Sequence, residues 1–245
     1  MSLLAHQELL LIPTGTPPTG TLFDLISADL QPGDLYYRHN DTTLPVMINQ
    51  NGTDGDYVNT PLLNQTPIYS GGPDCFLSGG GSNYGESPTF PTFPTGTSIS
   101  LVTVVKFNSF LSFNGLVCRD NSVARKWQWR LSTDIMQWIQ IVGGVTTTSA
   151  SIPIVTGTTY ILGITIGPNV TPGLSDLKLF INGSIVGTAT ITEADYGGIG
   201  DTLQIGYMGE GGGANSDAFF SESVVFFGAT RSPTRMADYA TVAGL

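Results

Sequence analysis

The dipeptide Asn182-Gly183 constrains the fold more than any other part of the sequence. It lies between two apolar, strand-like stretches, Leu177 to Ile181 and Ile185 to Ile191. Asn and Gly readily adopt the positive φ angles that a type I′ turn requires, and such a turn joins two antiparallel strands. The sequence therefore predicts a β-hairpin here.

Similar stretches, separated by turn-forming residues, recur through the rest of the C-terminal two-thirds of the chain. The predicted strands are residues 67–69, 75–77, 98–107, 115–118, 126–132, 136–142, 149–154, 158–166, 177–181, 185–191, 202–206 and 218–227. Their regular spacing is typical of a sandwich or barrel. With 31 Gly, 15 Pro and only 11% charged residues, the composition also favours many short strands. Ser232 to Ala240 is predicted to be a short helix, with Ser232 as its N-cap and Pro233 at its first position.

Residues 1–66 differ from the rest of the chain. Ile12 to Thr21 is too rich in Pro and Gly for a helix or a central strand. Gly33 to Asn49 has two short apolar stretches around a polar turn, which predicts a small hairpin with His39 in the turn or on the surface. Because a lone hairpin is barely stable in water, we expect it to pack on the main domain, on copies of itself or on another protein.

The charge and the cysteines exclude several classes of partner. A formal net charge of -10 argues against nucleic acid and anionic membrane surfaces. Five basic residues fall in one stretch, where solvent-facing strand positions are expected and a local anionic contact is the alternative: Lys106, Arg119, Arg125, Lys126 and Arg130. No apolar run approaches the roughly 20 residues of a membrane span, and the N-terminus lacks the basic region of a secretory signal. Cys75 and Cys118 have no metal-binding spacing, so buried free thiols are expected.

Five segments follow one another in a characteristic order: residues 98–106, the hairpin 127–142, residues 156–165, the Asn182-Gly183 hairpin, and residues 203–239. This order resembles the concanavalin A-like lectin and laminin-G-like superfamily, although Tyr160 stands where that superfamily usually has a tryptophan. The resemblance implies an all-β fold, a two-sheet antiparallel jelly-roll sandwich over residues 67–245. An extended segment with a small hairpin, residues 1–66, would precede it. Members of the superfamily bind sugars, bind proteins, cut polysaccharides or only add structure, so the fold does not choose among these functions.

The N-terminal stretch Gly33 to Arg38, followed by a turn and a second short strand, resembles segments common in virion proteins of tailed bacteriophages. Such proteins include head fibres, capsid decoration proteins and tail appendages. The resemblance implies a non-enzymatic structural protein on the exterior of the virion, with residues 1–66 attaching it to the particle. The implied partners are other virion proteins, such as the major capsid protein, and further copies of the chain in a homo-oligomer.

The alternative function is glycan binding by an adhesion or receptor-binding module, with cell-surface or mucus glycans as partners. A glycan site needs exposed aromatic side chains beside polar groups. The candidates are Tyr84, Trp138, Tyr196, Tyr207 and Asp217, the last at the end of the loop that starts at Gly209. The same aromatic residues are equally available as core residues.

An enzymatic function lacks candidate residues. A polysaccharide hydrolase needs two carboxylates that flank a cleft. Glu193 is the one glutamate with a carboxylate two residues away, Asp195, and the pair is predicted to lie in a loop. Neither of the two histidines, His6 and His39, has a nucleophile beside it in the sequence. We therefore expect no enzymatic activity.

Calcium is the one cofactor that the superfamily resemblance implies. Asn51 to Asp56 is an acidic turn with spaced oxygen ligands, but it lacks the twelve-residue calcium-binding pattern and its closing Glu. The expectation is a chain without a cofactor, with calcium binding in this turn as the alternative.

Overall fold

Two antiparallel sheets of eight strands each face one another in the computed structural model, which describes residues 20–79, 83–87, 95–120, 125–140, 146–193, 202–208 and 214–245. In chain order the elements are α1 (Leu22–Asp29), β1 (Leu35–Tyr37), β2 (Val46–Met47), β3 (Gly55–Val58), β4 (Leu62–Gln65), β5 (Cys75–Leu77), β6 (Tyr84–Ser87), β7 (Ile99–Ser109), β8 (Phe113–Asp120), β9 (Arg125–Ser132), β10 (Ile135–Gln140), β11 (Thr146–Pro153), β12 (Thr159–Pro168), β13 (Leu174–Ile181), β14 (Ser184–Thr192), β15 (Leu203–Ile205), β16 (Tyr207–Met208), β17 (Ala214–Asn215), β18 (Asp217–Phe227) and α2 (Pro233–Ala243). The predicted jelly-roll sandwich is confirmed.

Sheet A has the strand order β14-β13-β12-β7-β18-β5-β4, with β1 also paired to β18. Sheet B has the order β11-β10-β9-β8-β15-β6-β3-β2, and β16 and β17 form a separate two-stranded ribbon. The predicted strand at residues 67–69 is absent: Ile68 and Tyr69 instead pack against the cluster beneath the helices. Their apolar side chains are half-buried without a strand partner.

The core lies between the two sheets because apolar residues alternate along the inner strands. Trp127, Trp129 and Leu131 of β9 share the inner face, as the sequence predicts, and all three are fully buried. Leu162 and Ile164 of β12 belong to the same apolar cluster. Both cysteines are buried free thiols, which confirms the prediction for Cys75 and Cys118.

The Asn182-Gly183 hairpin is confirmed as a two-residue turn between β13 and β14. Asn182 and Gly183 have φ angles of 48° and 77°, as a type I′ turn requires. The Asn182 side chain also accepts a hydrogen bond from the Ile161 backbone N–H at 3.0 Å. A Cβ atom on Gly183 would lie 2.5 Å from the Cα atom of Ala237 in α2. Glycine is thus required here for its φ angle and for the close approach of the helix.

Helices α1 and α2 cover part of the outer face of sheet A. They bury Leu22, Ile26 and Met236 against Val102 and Phe226 of the sheet. Helix α2 begins after the N-cap Ser232 with Pro233 in its first turn, as predicted. Helix α1 was not predicted, although its N-cap Thr21 and Asp24 form a capping box that is readable in the sequence.

The predicted hairpin within Gly33 to Asn49 is wrong, because its two strands belong to different sheets. Strand β1 pairs with β18 in sheet A, and β2 pairs with β3 in sheet B. One isolated β-bridge, between Tyr37 and Asn49, links the two arms of the predicted hairpin. The physical reason is burial: Tyr37 points between the sheets, whereas Tyr36 points toward the helices. Residues 35–65 thus supply strands to both sheets of the sandwich.

Candidate functional site

The outer face of sheet B carries polar and aromatic side chains beside one another. Because Trp127 and Trp129 point inward, Gln128 and Arg130 between and after them point outward. Gln137 of β10 is the cross-strand partner of Arg130 and shares this outer face. This face therefore differs from the part of sheet A that the helices cover with apolar residues.

Tyr84 of β6 and Tyr207 of β16 stack on each other on this side of the sandwich. Their ring centroids are 4.3 Å apart and their planes differ by 9°. Both side chains are half-buried, so part of each ring faces solvent. Burial, together with the negative charge of Glu86, raises the pKa of Tyr84 to about 12. At neutral pH its hydroxyl is therefore a neutral group that can donate a hydrogen bond.

Arg130 is held in one orientation on the same face. Its guanidinium carbon lies 4.1 Å from the centroid of the Phe113 ring, a cation–π contact. Its Nη1 donates to Gln128 Oε1 at 2.9 Å, and its Nε donates to Gln137 Oε1 at 3.3 Å. Phe113 itself is 38% exposed. A fixed cation thus lies beside an exposed aromatic ring.

The absence of a side chain at Gly115 allows the β16–β17 ribbon to pass close to sheet B. A Cβ atom there would lie 2.4 Å from the backbone carbon of Tyr207, so the ribbon crosses sheet B directly over this residue. The Gly206 N–H donates to the Leu116 carbonyl at 2.9 Å and fixes the crossing. Met208, next along the ribbon, contacts Arg130 through its sulfur. We call the side chains of Tyr84, Tyr207, Arg130 and Phe113 the platform.

The sequence-predicted site residues divide between the platform, the core and another edge. Tyr84 and Tyr207 come together on the platform. Trp138 does not: it is fully buried and stacks on Trp127 with centroids 5.1 Å apart, so it is a core residue that no surface ligand can reach. Asp217 lies at the start of β18 in sheet A, where it accepts hydrogen bonds from Ser109 and Asn108. Tyr196 and residues 209–213 lie outside the described residues.

Arg130 and Phe113 were not predicted as site residues from the sequence. Arg130 is expected on the solvent side of its strand, and the alternating pattern around Trp127 and Trp129 is the signal that supports this position. Its pairing with Phe113 depends on the β8–β9 register and has no local signal. Arg119, expected at a solvent-facing position, is instead fully buried.

His39, predicted to lie in a turn or on the surface, is also buried, so the surface position is wrong. Its Nε2 lies 3.1 Å from the Ser223 hydroxyl and its Nδ1 lies 3.2 Å from the Tyr57 hydroxyl. Tyr57 donates its own proton to Asp41 at 2.8 Å, so Nδ1 of His39 must carry the proton that Tyr57 accepts. Burial lowers the pKa of His39 to about 3. Ser223, His39, Tyr57 and Asp41 thus form a chain of hydrogen bonds similar to the one that activates a catalytic serine. All four side chains are buried, so a substrate cannot reach them.

Glu222 of β18 is a second buried ionisable group. Its carboxylate accepts a hydrogen bond from the Tyr36 hydroxyl at 3.1 Å and lies 3.5 Å from Arg38 Nε. Burial raises its pKa to about 7, and Arg38 opposes that shift. A hydrolytic carboxylate pair would need a second acid and a cleft. Asp195, the partner predicted for Glu193, lies outside the described residues.

Polar groups of the acidic turn Asn51 to Asp56 form hydrogen bonds with neighbouring segments of the protein. Asn51 donates its side-chain amide to the carbonyls of Gln31 and Asp34, and Asp54 accepts from the Asn49 backbone. Within the described part of the chain, no group of three or more His, Cys, Asp or Glu side chains could hold a metal ion. In the same residues no helix is long and apolar enough to span a membrane.

Comparison with known proteins places the fold. No protein-family model and no curated protein sequence matches the chain. The receptor-binding domain of botulinum neurotoxin type G matches with a TM-score of 0.58 and 11% identity, over 86% of this chain and 51% of that one. Trypanosoma rangeli sialidase, in complex with a difluoro sugar, matches with a TM-score of 0.56 and 10% identity, over 84% of this chain and 32% of that one. The chain shares their jelly-roll fold.

A third match is a botulinum neurotoxin type C structure, described as showing that cell entry depends on interaction with two ganglioside molecules. Its TM-score is 0.57 with 12% identity, over 85% of this chain and 50% of that one. This chain thus spans about half the length of the neurotoxin domains and about a third of the sialidase. At these identities the likeness extends to the fold and not to the ligands.

Proposed function

We propose that this chain is a non-enzymatic carbohydrate-binding module and that it holds a glycan on the platform. The observation that carries the proposal is the Tyr84–Tyr207 stack on the same face as the fixed Arg130. Aromatic faces pack against the apolar C–H face of a sugar ring, and guanidinium and amide groups hydrogen-bond its hydroxyls. Two of the structural matches, the type G receptor-binding domain and the type C neurotoxin, are described as binding receptors or gangliosides, which supports the same class of ligand.

A glycan array followed by calorimetry tests this function. Tyr207→Ala removes one of the two stacked rings from the β16–β17 ribbon. We expect it to weaken glycan binding by at least about tenfold. Tyr207→Phe keeps the ring and is expected to retain most of the affinity. Val170→Ala is the control, because Val170 is 99% exposed in the β12–β13 connection. Absence of any glycan ligand, or unchanged affinity in folded Tyr207→Ala, would refute the proposal.

A second proposal concerns where the module is mounted. We propose that it is carried on a larger assembly, as on the exterior of a tailed-phage particle, through the edge formed by β2 and β4. These strands end sheets B and A on the side opposite β11 and β14. Exposed apolar side chains lie on or beside these two strands: Leu44, Val46 and Ile48 at β2, and Leu62 on β4. An exposed apolar strand edge is a favourable surface for a second chain, either a virion protein such as the major capsid protein or another copy.

Native mass spectrometry and analytical ultracentrifugation of the full chain test this mounting. We expect a homo-oligomer, or binding to purified particles, that Val46→Lys and Leu62→Lys abolish together. Ile185→Lys is the matched control, since Ile185 is an exposed apolar residue on the opposite edge strand β14. A chain that stays monomeric and binds no particle would contradict the proposal.

A further inference from the structure

A polar groove crosses the outer face of sheet A beyond the N-terminal end of α2. Its floor is formed by two rows of cross-strand neighbours on β12, β13 and β14: Thr165, Lys178 and Thr188 in one row, and Gly167, Asp176 and Thr190 in the next. Two adjoining open depressions of about 300 and 470 Å³ share Asp176 and Lys178. Their volumes fall in the range of small-ligand sites.

One wall of the groove is the segment Thr230 to Pro233, which leads into α2. This segment lies close to the floor because Gly167 has no side chain: a Cβ atom there would lie 2.7 Å from Cγ2 of Thr230. The Arg231 N–H donates to Ser100 Oγ at 2.8 Å, which ties the wall to β7. The groove is thus built from strands and an anchored segment, all within the described residues.

Two of the chain's nine basic residues converge on this groove. Arg231 is held in place, since its Nη2 donates to the Asp29 carbonyl at 2.8 Å and its guanidinium carbon lies 4.1 Å from the Phe226 ring centroid. Lys178 forms no ion pair with any of the residues that the structure describes. A half-buried lysine without a counter-ion attracts an anion.

Among the described residues that line the groove, the one carboxylate is Asp176, and it is hydrogen-bonded. Asp176 Oδ1 accepts from Asn169 Nδ2 at 2.5 Å and lies 3.5 Å from Thr190 Oγ1. The charge of Arg231 also acts on the carboxyl groups of Asp29 and Asp34, which leaves Lys178 as the cation of the groove that is available to a ligand. The threonine hydroxyls around it can both donate and accept hydrogen bonds, as sugar hydroxyls require.

We infer that this groove is a second binding site, which takes the carboxylate or sulfate group of an anionic sugar. Lys178 would face the anionic group, and the hydroxyls of Thr165, Thr188 and Thr230 would face the sugar hydroxyls. The site lies on sheet A, whereas the platform lies on sheet B. The inference is therefore independent of glycan binding at the platform.

Calorimetry with three oligosaccharides tests the site: one that carries glucuronic acid, one that carries sulfate, and a neutral one of equal length. We expect the wild-type chain to bind at least one anionic probe more tightly than the neutral one, with an affinity that falls as salt rises. Lys178→Gln should weaken that binding by about tenfold. The carboxylate and sulfate arms then identify which anion the groove prefers.

Lys106→Gln is the matched control, because it causes the same change in net charge on a β7 position that does not line the groove. Tyr207→Ala separates the two sites, since it should leave binding of the anionic probe intact. The inference is overturned if neither anionic probe is preferred, or if Lys178→Gln and Lys106→Gln behave alike. It is also overturned if backbone NMR shifts on binding occur around Tyr84 and Tyr207 and not around Lys178 and Thr188.

Discussion

At the scale of single residues, two buried ionisable groups give the chain's stability opposite dependences on pH. Burial raises the pKa of Glu222 from 4.5 to about 7, so the folded state holds a proton that the unfolded state releases. The stability that Glu222 provides is complete below pH 4.5 and is lost as the pH rises through 7. His39 acts in the other direction. Its pKa falls from 6.5 to about 3, so the stability it provides is lost as the pH falls below 6.5.

Glu222→Gln isolates the first of these contributions, because glutamine cannot ionise. We expect the free energy of unfolding of the variant to rise relative to wild type between pH 4.5 and pH 7. The size of the rise is on the order of 3 kcal/mol, from about 1.4 kcal/mol per pKa unit. Urea denaturation at a series of pH values measures it, and the His39 contribution cancels because both proteins contain it. A difference that does not change with pH would show that Glu222 titrates normally.

At the scale of elements, the β13–β14 hairpin and helix α2 depend on each other through Gly183. Gly183→Ala would place a methyl group against the Ala237 backbone in a residue whose φ is 77°. We expect it to lower the free energy of unfolding by about 2–4 kcal/mol, the sum of a strained φ and an overpacked contact. Thermal or urea unfolding measures the loss.

Gly173→Ala is the control for this prediction. Gly173 has a φ angle of 80°, but a Cβ atom there would have no atom within 4 Å. Gly173→Ala therefore has only the conformational penalty, and we expect it to lower the free energy of unfolding by about 1–2 kcal/mol. Equal losses in the two variants would mean that the packing of α2 on the turn contributes nothing.

At the scale of the whole molecule, residues 35–65 are part of both sheets. Strand β1 pairs with β18, and Tyr36, His39 and Tyr57 are buried against the rest of the sandwich. A fragment of residues 67–245 would lack these side chains. Ser223 would lose its hydrogen-bond partner His39, and Glu222 would lose its partner Tyr36. We expect this fragment to lack the cooperative thermal transition of the full chain, as measured by circular dichroism. A cooperative transition at a similar temperature would show that residues 67–245 fold independently.

The sequence by itself determined the elements whose signals are local. The Asn182-Gly183 turn, the alternation around Trp127 and the N-cap of α2 each depend on residues a few positions apart, and each was predicted correctly. Of the proposed site, Tyr84 and Tyr207 were candidates by residue type alone. Residue type does not distinguish an exposed ring from a core ring. The predicted candidates therefore also include Trp138, which is buried.

Only the tertiary structure decided which distant residues meet. Tyr36 and Glu222 are 186 positions apart in the sequence, and His39 and Ser223 are 184 apart. Whether β1 pairs with β2 or with β18 depends on where Tyr36 and Tyr37 are buried. Their neighbours in the two apolar clusters come from distant parts of the chain. The same holds for Arg130 beside Phe113 and for Lys178 beside Arg231. Strand register and layer packing are cooperative properties of the whole chain, so no local pattern carries them.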